Sequence, residues 1–398
     1  MDFNDTEAEA SFRKEARNWL HDNVPSKADL AGLDEVQQSK LWQRRKFDAG
    51  WACISWATEH GGRGASPIEQ VIWQQEESKY DVPIGIFDIG IGMAAPTLMH
   101  WGTDSQKRKY LPPLASGEHI WCQLFSEPIA GSDLAGIRSR AIKAGDDWVL
   151  NGQKIWTSGA HYSDFGIIVV RTDPTVPKHE GLTYFFVDMK SPGIEVRPIK
   201  QISGSSNFNE VFLQNVEVPD VNRLGAVGQG WKVSITTLMN ERAALGSGGG
   251  DVGFNSLFEL ANQLTIEGRP AIDDSLVRGA LANWYCQESG LRYTGYRALT
   301  ALSRGETPGP EHSISKLVGA SKLQDMASFA LDLLEMAGSL ANVECAQYFD
   351  TFLNSPGFRV AGGTDEIMLN ILAERVLGLP QDVRVDKGIP FNEVPTGT

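Results

Sequence analysis

Trp148-Val149-Leu150-Asn151-Gly152-Gln153-Lys154-Ile155-Trp156-Thr157-Ser158 sets two short β-branched and aromatic runs on either side of an Asn-Gly pair. Asn and Gly both tolerate positive φ, as a tight type I′ turn requires, so the spacing predicts a hairpin turning at Asn151-Gly152. Runs of the same texture lie at Gly166 to Val170, Leu182 to Val187 and Val211 to Leu213, which makes 118–222 a β domain. On its N-terminal side apolar residues recur at helical spacing, as in Phe12, Ala16, Trp19 and Leu20, then Leu41, Trp42 and Phe47. Residues 1–117 therefore read as helical, with turn-rich breaks at His60 to Gly64 and at Pro112-Pro113. Beyond the β domain, long helical repeats return at Asn255 to Leu264, Asp274 to Ser303, Ser313 to Met336 and Thr364 to Leu377, giving a helix bundle over 223–398. Helices, then strands, then helices make an α+β multidomain chain with segregated layers and no alternating βαβ sheet. A nicotinamide-type dinucleotide fold is excluded on that ground. Gly246-Ser247-Gly248-Gly249-Gly250 follows no strand and lacks GxGxxG spacing, so it is not read as a phosphate loop.

Bulk properties fit this layout. The chain has 398 residues, 41% hydrophobic and 22% charged, enough for two or three packed domains and unlike a disordered chain. Its formal charge of -14 argues against nucleic acid or an anionic membrane surface as the main partner. Cys53, Cys122, Cys286 and Cys345 are scattered, which suggests a reducing compartment and no cysteine-based metal site. An acidic start (Met1-Asp2-Phe3-Asn4-Asp5) carries neither a signal-peptide nor a transit-peptide pattern, and no run of about 18 apolar residues reads as a membrane span. The expected location is cytoplasmic.

The chemistry concentrates in three segments. Ser126-Glu127-Pro128-Ile129-Ala130-Gly131-Ser132-Asp133-Leu134-Ala135-Gly136 offers hydroxyls and backbone amides among small residues, suited either to an ordinary polar turn or to close approach by a flat ring and a phosphate. Asn151 to Ser158 forms the second segment. The third is Ala361-Gly362-Gly363-Thr364-Asp365-Glu366-Ile367 with Asn370, Ala373-Glu374-Arg375 and Leu377-Gly378-Leu379-Pro380. Together, in this order and within a helix, strand, helix layout, they resemble the acyl-CoA dehydrogenase family over nearly the whole chain.

That resemblance implies an N-terminal α-helical domain, a β-barrel-like middle domain and a C-terminal four-helix bundle. It also implies FAD as cofactor and α,β-dehydrogenation of an acyl-CoA thioester to the 2-enoyl-CoA. Gln123, Phe125 and Ser126 would border the isoalloxazine edge, Ser132 would lie near phosphate and substrate, and Trp156 and Ser158 would flank the flavin, with Ser158 toward N5. Thr364 and Glu366 would touch the nucleotide half at a helix start, which is equally an ordinary capping site. The reaction needs a partly desolvated carboxylate base. Many family members carry it just before the Gly-Thr of the C-terminal motif, where this chain has Gly362. Leu238-Met239-Asn240-Glu241-Arg242 resembles instead the isovaleryl and long-chain branch, which implies Glu241 as base and Arg242 as a partner for the ligand or for helix-end packing. Taken alone, adjacent Glu and Arg on a helix read as a solvated face. Leu264 and Glu267 stand where the family carries an Arg and a Phe facing a neighbouring subunit's FAD, and Glu335, Gly338 and Ser339 replace a Gln and Gly-Gly. The expected partners are an electron-transferring flavoprotein or similar acceptor and further subunits, as a homodimer, homotetramer or heteromer. Two other readings stay open: an acyl-CoA oxidase or flavin monooxygenase on the same fold, and a non-catalytic subunit of a heteromeric dehydrogenase. Gly246 to Gly250, just beyond Glu241, either ends the helix or removes side chains to admit a branched or ring-bearing acyl group.

Overall fold

Most N-terminal helices start on a capping box, where a side-chain oxygen accepts the N–H three residues on and that residue's side chain returns the bond. Thr6 and Glu9 open α1 (Glu7–Asn23), Ser26 and Asp29 open α2 (Lys27–Leu30), Asp34 and Gln37 open α3 (Glu35–Asp48), and Ser66 and Glu69 open α4 (Pro67–Glu77). After α5 (Ala95–Trp101), Thr103 and Gln106 open α6 (Asp104–Ala115). Pro112 and Pro113 lie inside α6 and not in a break. They remove two helical N–H donors, but fully buried Leu111 and Leu114 on either side hold this last turn by packing. The computed structural model describes residues 5–83, 85–245, 252–303, 309, 313–340 and 345–395.

The middle of the chain folds into one sheet. Its strands are β1 (Trp121–Leu124), β2 (Arg140–Ala144), β3 (Asp147–Ser158), β4 (Phe165–Arg171), β5 (Leu182–Asp188), β6 (Ile194–Ile199), β7 (Phe208–Pro219) and β8 (Arg223–Leu224). Their order is β6-β7-β3-β2-β4-β5-β8, with β1 parallel to β4. Neither face of the central strands is left to solvent. Ile167, Val169, Tyr184 and Phe186 pack with Leu98, Leu111 and Leu114 of the helices, whereas Ile168, Val170, Phe185 and Val187 pack with Trp148, Leu150, Val211 and Val216 of the sheet itself. This period of two within an unbroken apolar run is what a strand buried on both faces requires.

No hairpin turns at Asn151-Gly152. β3 runs straight through the pair, with a register shift against β7 between Leu150 and Gly152. Glycine is needed there because a Cβ would lie 2.1 Å from Ser139 Oγ. The β2–β3 turn falls at Gly145-Asp146, between paired Ala144 and Asp147, with Gly145 at φ 63°.

α7 (Gly230–Leu245) follows the sheet. Met1–Lys200, Ser206–Glu241 and Arg384–Thr398 form one compact unit, and Gln201–Ser205 with Arg242–Val383 a second. The second contains α8 (Phe254–Gln263), β9 (Thr265–Ile266), β10 (Arg269–Pro270), α9 (Ser275–Ser303), α10 (Ser313–Leu333), α11 (Ala346–Phe358) and α12 (Asp365–Ile371). Leu257, Leu281, Trp284, Met326, Ala330 and Tyr348 form its core. Its β9–β10 hairpin has the turn chemistry expected at 151–152: Glu267 and Gly268 both take positive φ, 50° and 79°.

After the second unit the chain returns to the first. Phe391 N donates to Val176 O, Asn392 N donates to Pro174 O, and Asp386 pairs with Lys178 at 2.6 Å. The Phe391 ring lies 3.4 Å from the Arg171 guanidinium, forming a strap across the end of β4.

Candidate active site

Two of the three quoted segments meet. Ile155 N donates to Ser126 O at 3.0 Å, laying the loop after β1 against the end of β3. Beneath this junction Lys154, fully buried, donates to Glu127 Oε1 at 2.9 Å and to the carbonyls of Phe125 at 3.0 Å and Val169 at 2.9 Å. Glu127 also accepts the N–H groups of Arg138 and Ser139 at 2.6 and 2.9 Å. Burial alone would push the Glu127 carboxyl up, but Lys154 and these N–H donors hold it below the usual carboxylate range. Such a pair needs its full set of partners to offset desolvation, and here it fixes both ends of the loop. Sequence reasoning missed it. The available signal was parity, since Lys154 occupies the buried register of β3 with Trp148 and Leu150.

Around this anchor Phe125 is buried, Ser126 and Ser158 are half-buried, and Ser132 is exposed. Trp156 is 57% exposed and holds φ 59°, at a β-bulge between Lys154 and Thr157. A non-glycine residue in the left-handed region is strained. A strained, exposed indole beside half-buried hydroxyls gains nothing for the core, and it suits a flat aromatic ligand with a hydrogen-bonding edge. The hydroxyls there are uncharged, which fits the neutral edge of an isoalloxazine. Further along the loop, Arg171 donates to the carbonyls of Ala135 at 2.5 Å, Ile137 at 3.1 Å and Lys178 at 3.1 Å, and Lys178 pairs with Asp133 at 2.8 Å. Burial brings the Arg171 guanidinium down to about 10.

Glu241 reaches this unit from α7. Gln123, on β1, donates from Nε2 to Glu241 Oε2 at 3.2 Å, and the carboxylate is half-buried. Hydroxyls dock α7 one turn earlier: Thr237 Oγ1 lies 2.9 Å from Thr97 Oγ1 and 3.1 Å from Tyr184 OH, and Trp101 Nε1 donates to Thr236 Oγ1 at 2.9 Å. Arg242 continues α7, but its side chain and the whole Gly246 to Gly250 run lie outside the described residues.

Thr364 and Glu366 belong to the second unit. Thr364 is the N-cap of α12 and accepts from Ile367 N at 3.3 Å. Glu366 is exposed, held below its ordinary range by backbone and Thr364 hydrogen bonds. Lys316 donates to Gly363 O, and Arg359 pairs with Asp365 at 2.6 Å. Gly362 takes φ 66°, a conformation that disfavours a glutamate as well as lacking one.

The fold, with its helical, β and helical parts, has the form of an acyl-CoA oxidoreductase. Models of the acyl-CoA dehydrogenase N-terminal, middle and C-terminal domains match residues 6–118, 122–216 and 228–377, and the chain belongs to the acyl-CoA dehydrogenase family, whose redox cofactor is FAD. It is 42% identical to the acyl-CoA dehydrogenase FadE34 of Mycobacterium tuberculosis over 89% of its own length, and spans about half of that relative, 48%. To the acyl-CoA dehydrogenase IpdE1 of the same organism it is 35% identical, over 94% of this chain and 98% of the relative. Among solved structures, the Tcur3481-Tcur3483 steroid ACAD superposes with TM-score 0.80 at 26% identity, covering 96% of this chain and all of that one. The ChsE4-ChsE5 complex of M. tuberculosis gives TM-score 0.78 at 28% identity, over 96% of this chain and all of its counterpart. Among the described residues no helix is long and apolar enough to cross a membrane.

Proposed function

We propose that this chain dehydrogenates the Cα–Cβ bond of an acyl-CoA thioester, with Glu241 as the base that removes the α-proton. The observation that carries this reading is the Glu241 carboxylate, half-buried and hydrogen-bonded to Gln123 on the strand that leads into the Ser126 loop. A thioester α-proton is weakly acidic, so the base must be a carboxylate kept partly out of water and held in line. FAD, when bound, supplies the acceptor for the β-hydrogen and its electron pair. Gln123, Phe125, Ser126, Trp156 and Ser158 line the flavin edge in this reading. Ser132 serves phosphate and substrate, Thr364 and Glu366 the nucleotide half, and Arg242 the ligand.

The substrate is proposed to be bulky. Similarity to a solved steroid acyl-CoA dehydrogenase and the side-chain-poor run after Glu241 support a ring-bearing acyl group. Leu264 and Glu267 at the expected inter-subunit positions favour assembly with a homologous chain, as the ChsE4-ChsE5 complex assembles. Four scattered cysteines suit a reducing compartment such as the cytoplasm, and an electron-transferring flavoprotein is the proposed acceptor.

Anaerobic addition of straight-chain and steroid-side-chain acyl-CoAs to the purified flavoprotein, read as bleaching of the flavin, tests the reading. Glu241→Gln is expected to slow bleaching by about 10²–10⁴-fold while the oxidised flavin spectrum is retained. Bleaching at the wild-type rate in that variant rules Glu241 out as base. Preferential turnover of short straight chains rules out the bulky-substrate proposal, and rapid oxygen consumption identifies an oxidase.

A further inference from the structure

We propose that Gln123 is a positioning residue: its side-chain amide holds the Glu241 carboxylate in its reactive orientation. The proposal rests on the reading of Glu241 as base. The two residues lie 118 positions apart, and Nε2 of one donates to Oε2 of the other at 3.2 Å. Each end of this bond stands on a rigid support. β1 places Trp121 and Leu124 in two different core clusters and pairs Gln123 with Ile167, itself fully buried. α7 is pinned through Thr237 to Thr97 and Tyr184 and through Thr236 to Trp101.

The chemical identity of the donor matters. A carboxylate on a long flexible side chain samples several rotamers, and a proton-abstracting one must spend its time in the productive one. An amide donor restricts it and favours the charged state. A lysine or arginine in the same place would do so far more strongly and would leave a weak base, because a full opposite charge drives a carboxyl pKa well down. A neutral donor orients the carboxylate with a smaller loss of basicity. Gln123 therefore acts through Glu241 whether or not its other atoms border the flavin.

The test isolates proton abstraction from oxidation. The holoenzyme is reduced beforehand so that no hydride acceptor is present, and it is incubated in D₂O without oxygen with hexanoyl-CoA or the CoA thioester of a steroid side-chain acid, whichever bleaches the wild-type flavin. The base takes the α-proton, the enolate forms, and a deuteron returns to the same carbon; mass spectrometry reads the exchange. Gln123→Met and Gln123→Asn, the first without a donor and the second too short to reach, are expected to slow exchange at least tenfold. In both, kcat should fall in step with exchange, KM should stay within twofold, and the bound-flavin spectrum should be preserved. Exchange within twofold of wild type in both variants overturns the proposal. Loss of flavin from both overturns it as well, since Gln123 would then be a cofactor ligand first. Failure of the underlying reading has a different signature: exchange survives Glu241→Gln.

Discussion

Trp156 illustrates how a single residue departs from what stability alone would select. Its indole is 57% exposed on a left-handed backbone, and its nearest aromatic neighbour, Phe208, is 6.2 Å away edge-on. Trp156→Gly should relieve about 1 kcal/mol of backbone strain, so the flavin-free protein should melt no lower than wild type. Flavin dissociation should nevertheless become about tenfold easier, as loss of a stacking face predicts. Unaltered flavin affinity in a spectroscopic titration would remove Trp156 from the proposed site. In the sequence only the motif set Trp156 apart, because an aromatic in a β-rich stretch otherwise reads as core, and the structure shows it exposed. Glu127 and Lys154 lie in the same two motifs and went unread. Their pairing depends on a contact across 27 residues, which no local pattern records. Glu241 gained its weight from the empty position at Gly362, and the structure supplies the partner, Gln123, that sequence spacing could not.

At the level of elements, local rules succeeded where a helix or strand is decided by its own residues and failed where a neighbour decides. The helical texture of Phe12, Ala16 and Leu20 does match the buried face of α1. The Asn151-Gly152 pair has every local feature of a turn, yet Ser139 packs against Gly152 and the strand continues. Pro112 and Pro113 are likewise overruled by buried leucines. The joint between α1 and α4 carries its own pH signature. Glu76 is buried and meets Arg13 at 3.1 Å, Arg17 at 3.1 Å and Lys79 at 2.7 Å. Burial pushes its carboxyl up, but hydrogen bonds from Arg17, Lys79 and Arg13 outweigh that and hold it at about 2, against an ordinary 4.5. Because the folded value lies below the unfolded one, the stabilisation is complete above pH 4.5 and is lost as pH falls towards 2. Urea midpoints of wild type should therefore fall more steeply across this window than those of Glu76→Gln. Equal slopes would show that the joint does not contribute.

For the molecule as a whole, the helix, strand, helix order was readable from texture, because core strands and amphipathic helices repeat over many residues. The return of the C-terminal segment to the first unit was not, since it is written in a few contacts between distant parts of the chain. Phe391 covers the guanidinium of Arg171, and Arg171 in turn holds the carbonyls of Ala135 and Ile137 at the end of the Ser126 loop. Phe391→Ala should lower stability by about 2 kcal/mol, the value of a desolvated cation–π contact, and should raise hydrogen exchange at 133–138 ahead of the rest of the sheet. Uniform exchange across the sheet would count against the strap as a support of the loop. There is a consequence for the order of synthesis. A ribosome completes every strand of the sheet early, yet Phe391 and Asp386 emerge only after residues 242–383 have been made. Until then the nascent β domain lacks the ring that covers Arg171, so the pinning of its Ser126 loop is completed only after the whole second unit has been made.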